Sequence, residues 1–324
     1  MPALTVTDPL VLPRITGPAA TSVARPVATV AGSHHALEGA GFPVARPFPG
    51  NVSWSATDPF ILLDHIGPSV NGPGESAGAP WHPHRGFETV TYVLDGEVAH
   101  HDSNGGGGVI GEGDTQWMTA GAGILHDELP TERLYRQGGA MHAVQLWVNL
   151  PGELKMTPPR YQAITAPDLT LLTTHDGGAL LRVIAGSVDG HAGPGSTYTP
   201  ITYAHATVAP GAELAVPWTP DYSAMAFVLT GSGHAGPAGH PIGQDDLVVF
   251  GPGDHVQLRA GTAGGEHPAL DVLLLGGRPL REPMIQYGPF VMSTRAQIIE
   301  AMKDFQAGRL GVIPAGELGD RRYA

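Results

Sequence analysis

The chain has 324 residues, a formal net charge of −13, no cysteine and only two lysines, Lys155 and Lys303. The lack of cysteine excludes disulfides, thiolate ligands and cysteine nucleophiles. The acidic balance argues against direct nucleic-acid binding, since the densest basic spots, 278–282 and 320–322, are very short. With 46 glycines, 31 prolines and 15% charged residues, the composition points to an all-β protein with many turns.

Residues 1–25 are proline-rich and aperiodic, and are expected to form a poorly ordered arm. They lack the basic start of a signal peptide. No apolar run reaches the ~20 residues that span a bilayer, so a soluble, cytoplasmic chain with no membrane partner is expected. Strand-like segments follow at 60–64, 88–95, 97–101, 115–119 and 142–149, separated by glycine turns such as SNGGGG (103–108) and GEGD (111–114). Near Leu150 the sequence turns polar and proline-rich (PGELKMTPPRY), which suits a linker. Further strands are expected at 180–184, 213–216, 224–229, 246–250 and 270–275.

The two blocks echo each other: TVTYVLDGE…GVIGEGDTQWMTAG in the first matches MAFVLTGSG…PIGQDDLVVFGPGD in the second. Duplication at this distance implies two copies of one β-fold, with domains at 26–150 and 151–324. Only the end has helical periodicity. Thr294 and Gln297 can form a capping box, with Ile298, Ile299, Met302 and Phe305 at helical spacing and Gly308 as a stop, giving a helix over 294–307.

The chemistry concentrates in PWHPHRGFET (80–89). Residues of equal parity share a strand face, so His82, His84 and Glu88 lie on one side if the segment is extended. A second pair with the same spacing, His126 and Glu128, stands in GAGILHDELP. Convergence of the pairs gives three imidazoles and a carboxylate, a donor set for a divalent first-row metal. Other histidines fit less well. His100 and His101 are adjacent, so with Asp102 they cannot chelate together on a flat strand. His142 is expected as a packed or hydrogen-bonded residue. SNGGGG lacks the context of a phosphate loop.

The run HPHRGFETVTYVLDGEVAHHDS…GGVIGEGDTQWMTAGAGILHDELP resembles the N-terminal domain of the pirin family of two-domain cupins. DPFILLDHIGP (58–68), QLWVNLP (145–151) and GPFVMSTRAQIIEAMKDFQAGRLGVIP (288–314) extend the likeness over most of the chain beyond residue 30. The resemblance implies two tandem cupin β-barrels with a short C-terminal helix, and a mononuclear iron site at His82, His84, His126 and Glu128. Iron(II) is the ion it favours, while manganese, nickel, copper and zinc stay open on the donor set. Glu88 stands where many cupins have a ligand and is kept as an alternative ligand or supporting group. Thr119 replaces the proline usual in the second cupin motif, as in pirins. The second block has PDYSAMAF (220–227) where HPHRGFET would fall, and His234, His240 and His255 lie around turns as surface residues, so no metal is expected there.

Two functions follow from the resemblance. One is a quercetin 2,3-dioxygenase-type reaction, opening a flavonol with O2 and loss of carbon monoxide, with Glu128 as base. The other is a metal-dependent regulator acting on a protein partner, either a transcription cofactor or an enzyme modulator. A sugar-phosphate isomerase is a weaker third, because it needs a basic cluster and Arg85 stands nearly alone.

Overall fold

Four antiparallel sheets organise the chain in the computed structural model, which describes residues 5–262 and 269–314. The basic spot at 320–322 and the last ten residues of the second domain lie outside the described residues. The larger N-terminal sheet has the spatial order Arg160–Ile164, Thr115–Thr119, Phe87–Asp95, Gly139–Asn149, Phe60–Asn71, Phe42–Phe48 and His34–Glu38. It faces a smaller sheet ordered Ala79–His84, Ile124–Pro130, Val98–Asp102 and Gly107–Ile110.

The C-terminal half repeats this plan. Its larger sheet runs Val27–Gly32, Asp246–Phe250, Met225–Thr230, Leu270–Gly277, Ile201–Val208, Ala179–Ala185 and Thr170–Thr173. Its smaller sheet runs Glu213–Pro217, His255–Ala260, Ser232–Ala235 and His240–Gly243. The duplication expected from the sequence is therefore real. Among the described residues no sheet closes on itself, so each cupin half is an open two-layer sandwich rather than a closed barrel.

The halves exchange their edge strands. Val27–Gly32 pairs with Asp246–Phe250 in the C-terminal sheet, and Arg160–Ile164 pairs with Thr115–Thr119 in the N-terminal one. A division at 150/151 therefore cuts the sequence but not the sheets. Exchange covers one exposed edge of each large sheet, where unpaired backbone groups would otherwise stand in water.

The two large sheets also pack face to face. Tyr92, Leu94, Trp117, Val144 and Leu146 of one meet Tyr203, Met225, Phe227, Leu273 and Leu275 of the other in one buried cluster. Along Phe87–Asp95 this alternation decides the site: Val90, Tyr92 and Leu94 go to the interface, so Thr89, Thr91 and Val93 face the smaller sheet. The C-terminal sandwich differs, its interior being filled by Leu181, Val183, Val216, Val256, Leu258 and Val272.

Two expectations need correction here. Residues 5–25 are not a loose arm: Arg14 bridges to Thr173, Ile15 is buried, and Arg25 donates to the carbonyls of Thr219, Pro220, Tyr222 and Gly251. His255 is not a surface residue, because Ala24 bridges to it and Ser22 Oγ lies 2.9 Å from its Nδ1.

The C-terminal helix spans Arg295–Gln306, with the Thr294–Gln297 capping box in place and Gly308 at φ 69° just beyond it. Its buried residues are Ile298 and Ala301, while Ile299 and Phe305 are exposed. Helical spacing had put all of the apolar side chains on one face. Two more short helices, Trp54–Thr57 and Glu132–Gln137, carry no such periodicity in the sequence. No helix among the described residues is long and apolar enough to cross a membrane.

Candidate metal centre

The smaller N-terminal sheet places its polar residues by register. His126 stands opposite His82 on one side and Asp102 on the other, and Glu128 stands opposite His100. Directly paired residues share a face, so His82, His84, His100, Asp102, His126 and Glu128 all point inward. His101 and Asp127 point outward and bond each other at 2.9 Å.

Three imidazoles meet at the inner face. Ring centroids are 4.2 Å apart for His82 and His126, 4.7 Å for His82 and His84, and 4.9 Å for His84 and His126. His82 Nδ1 lies 2.8 Å from Pro80 O, and His84 Nδ1 lies 3.3 Å from Pro289 O. A carbonyl only accepts, so both Nδ1 atoms carry the proton and both Nε2 atoms present lone pairs. Those two Nε2 atoms are 3.1 Å apart. Two nitrogens each about 2.1 Å from one ion and at right angles would be about 3.0 Å apart.

His126 Nε2 is buried and has no partner. Such an orphan is costly unless something binds it. Burial, and then the neighbouring His82, hold His84 and His126 well below the usual histidine range, so both are neutral donors. The donor chemistry and the unpartnered nitrogen both fit a metal ion. His100 lies beside this cluster, with Nδ1 3.4 Å from His126 Nδ1, Nε2 3.5 Å from Asp102 Oδ2, and its ring stacked on Tyr161.

Glu128 belongs to a second group that could hold an ion, with His100 and His126. Its Oε1 accepts from Thr91 Oγ1 (2.7 Å) and Gln116 Nε2 (3.0 Å), and its Oε2 accepts from Gln145 Nε2 (3.3 Å). All three donors come from the larger sheet. Thus the structure joins His82, His84 and His126, with Glu128 alongside rather than in the same tight group.

Glu88 is elsewhere. It is fully buried, and its oxygens accept from Thr119 Oγ1 (2.7 Å) and Thr197 Oγ1 (2.8 Å), the latter from the C-terminal half. Burial raises its pKa. Parity misplaced it because 80–89 is not one strand: Ala79–His84 lies in the small sheet and Phe87–Asp95 in the large one. The join is made at Gly86, whose φ is 91° and where a Cβ would meet Val291 O at 2.0 Å.

The C-terminal half also completes the wall. Phe290 bridges to Arg85, and Arg85 Nη1 pairs with Asp304 Oδ2 at 2.9 Å, on the C-terminal helix. Lys155 Nζ donates to Gly86 O (2.8 Å), Asn149 Oδ1 (2.6 Å) and Val291 O (3.1 Å). His142 is remote from the cluster, with its Nε2 2.8 Å from His65 Nε2 at the interface between the halves.

The cluster opens on a cavity of about 650 Å³, whose lining includes His82, His84, Glu128, Thr91, Gln145, Trp81 and Trp147. That volume suits a drug-sized molecule. Sequence reasoning missed Thr91, Gln116 and Gln145. Their signal is a polar residue repeated at one parity inside otherwise apolar strands.

A histidine cluster inside one open sandwich, followed by an apolar-filled copy of the same sandwich, defines the class: a bicupin with its candidate centre in the N-terminal half. The Pirin family profile matches residues 41–148, and that of the pirin C-terminal cupin domain matches 203–311. A Pseudomonas aeruginosa protein provisionally named quercetin 2,3-dioxygenase is 43% identical over 84% of this chain and 93% of its own length. Human pirin is 37% identical over 86% of this chain and 91% of its own. The crystal structure of quercetin 2,3-dioxygenase from Acinetobacter baumannii has a TM-score of 0.83 at 37% identity, covering 90% of this chain and 100% of that one. The chain belongs to the pirin family.

Proposed function

We propose that His82, His84, His126 and Glu128 hold one divalent ion, iron by family likeness, and that the chain opens a flavonol such as quercetin with dioxygen. The observation that carries this reading is the convergence of three neutral imidazoles beside a carboxylate on the wall of a 650 Å³ cavity. The 37–43% identical relatives named for quercetin 2,3-dioxygenase support it.

A bound ion would act as a Lewis acid toward a substrate hydroxyl and dioxygen. Glu128 takes the proton of that hydroxyl and returns it to the carboxylate of the product. Thr91, Gln116 and Gln145 hold Glu128 in place, and releasing one of these bonds lets it also reach the ion. Two ring carbon–carbon bonds break, both oxygen atoms enter the product, and one carbon leaves as carbon monoxide. Trp147 and Leu62 supply apolar wall against which a flat ring excludes water.

Five carboxylates line the cavity (Glu38, Asp64, Glu75, Glu97, Glu128) against Arg46 as the one guanidinium. An anionic sugar phosphate is disfavoured there, and Arg85 is held by Asp304 instead. Iron(II)-loaded protein mixed with quercetin in air should consume the flavonol and release carbon monoxide in equal amount. Bound iron without consumption would overturn the enzyme and leave regulation through a protein partner.

A further inference from the structure

A row of polar side chains crosses the inner face of the larger N-terminal sheet. Thr91 stands opposite Gln116 and Gln145, and Gln145 stands opposite Asp64. Neighbouring strands lie about 4.8 Å apart, so Thr91 and Asp64, two strands apart, are separated by about 10 Å. At one end of the row Thr91, Gln116 and Gln145 grip Glu128.

At the other end Asp64 binds Arg46 in two bonds of 2.6 Å, and Arg46 Nη2 also reaches Glu38 Oε1 at 2.5 Å. Arg46 Nη1 carries no hydrogen bond among the described residues. The rows on either side are apolar: Trp147 pairs with Leu62, and Ala143 with Ile66. All of these side chains except Gln116 line the cavity. The wall is thus a polar stripe between two apolar rails, with a reactive end and a far end.

We propose that Asp64 and Arg46 are the specificity-determining pair of this cavity, reading the outer hydroxyl groups of a flat aromatic ligand whose reacting hydroxyl lies at Glu128. Arg46 Nη1 donates to such a hydroxyl, and the remaining lone pairs of Asp64 and Glu38 accept from it. A hydroxyl suits this end better than a carboxylate, because Asp64 and Glu38 would repel an anion. The inference rests on the flavonol reading above and adds which end of the ligand is recognised.

The test compares quercetin with 3-hydroxyflavone, which keeps the reacting hydroxyl and lacks the outer ones. Dissociation constants are taken without oxygen, from quenching of tryptophan fluorescence, so turnover is not needed. Wild type should prefer quercetin by about 10- to 100-fold, the range for a hydrogen bond to a charged group. Asp64→Asn and Arg46→Lys should each collapse that preference to a few-fold. The lysine keeps the charge but loses the planar fork. Metal content and the unfolding midpoint of each variant show whether it has folded. Equal affinity for both ligands in wild type, or a preference that survives in both folded variants, overturns the inference and leaves the flavonol reading standing. Failure of either flavonol to bind overturns both.

Discussion

His82 Nε2 and His84 Nε2 face each other at 3.1 Å while both rings give their Nδ1 protons to backbone carbonyls. Two lone pairs at that distance repel unless a cation lies between them. The acceptor for His84, Pro289 O, comes from the far end of the chain. The C-terminal half therefore sets the tautomer of a candidate ligand in the N-terminal half, a reason for the two copies to travel together although only one carries the cluster.

His100 and His101 should separate cleanly in a metal titration. Side chains that orient a ligand typically affect metal affinity 10- to 100-fold, and His100 touches His126 from behind. His100→Ala should weaken iron binding by about that factor. His101→Ala, on the outer face with Asp127, should leave it unchanged.

The two glutamates should part in the same way. Glu88→Gln should retain full metal content and lose about 1–2 kcal/mol of stability, since one threonine hydroxyl loses a charged acceptor. Glu128→Gln should also keep bound metal, but with kcat lowered about 10²- to 10⁴-fold, the usual range for removing a general base. Metal analysis and flavonol turnover on the same samples check both.

Acid should weaken the junction between the halves. Burial, and then His65, push His142 down to about 3. In the unfolded chain the group titrates near 6.5, so the unfolded state binds the proton first. Stability is full above about pH 6.5 and falls as pH drops toward 3. The loss attributable to His142 is about 2 kcal/mol by pH 5. Urea unfolding at pH 7 and pH 5 should show this loss in wild type and a smaller one in His142→Gln.

Lys155 should behave as a structural cation. Burial pulls it down to about 7, while three oxygens accept from its Nζ. Lys155→Met strands those acceptors around Gly86 and Val291, and should cost about 2–4 kcal/mol in denaturant unfolding.

Much of this was legible in the chain. Alternating apolar residues marked the strands, the echo between TVTYVLDGE and MAFVLTGSG marked the duplication, and HPH with a later HxE marked the cluster. Glu88 was misplaced because same-parity logic holds only within one strand, and Gly86 carries the chain from one sheet to the other. His100 was correctly set apart from His101 by parity. Its approach to His126 depends on which strand becomes its neighbour, and that is a long-range property. The edge exchange was hidden for the same reason: nothing local in VATVAG (27–32) says that its partner is DLVVF (246–250). The polar row from Gln116 to Asp64 needs the register of four strands, which no single segment contains.

The central claim is the metal centre, and metal content tests it most directly. Wild-type protein and His126→Ala, both prepared under reducing, iron-replete conditions, would be measured by elemental analysis. About one iron per chain in wild type, lost in the variant with the fold retained, is the predicted result. A wild type free of metal under these conditions would contradict the assignment of His82, His84 and His126.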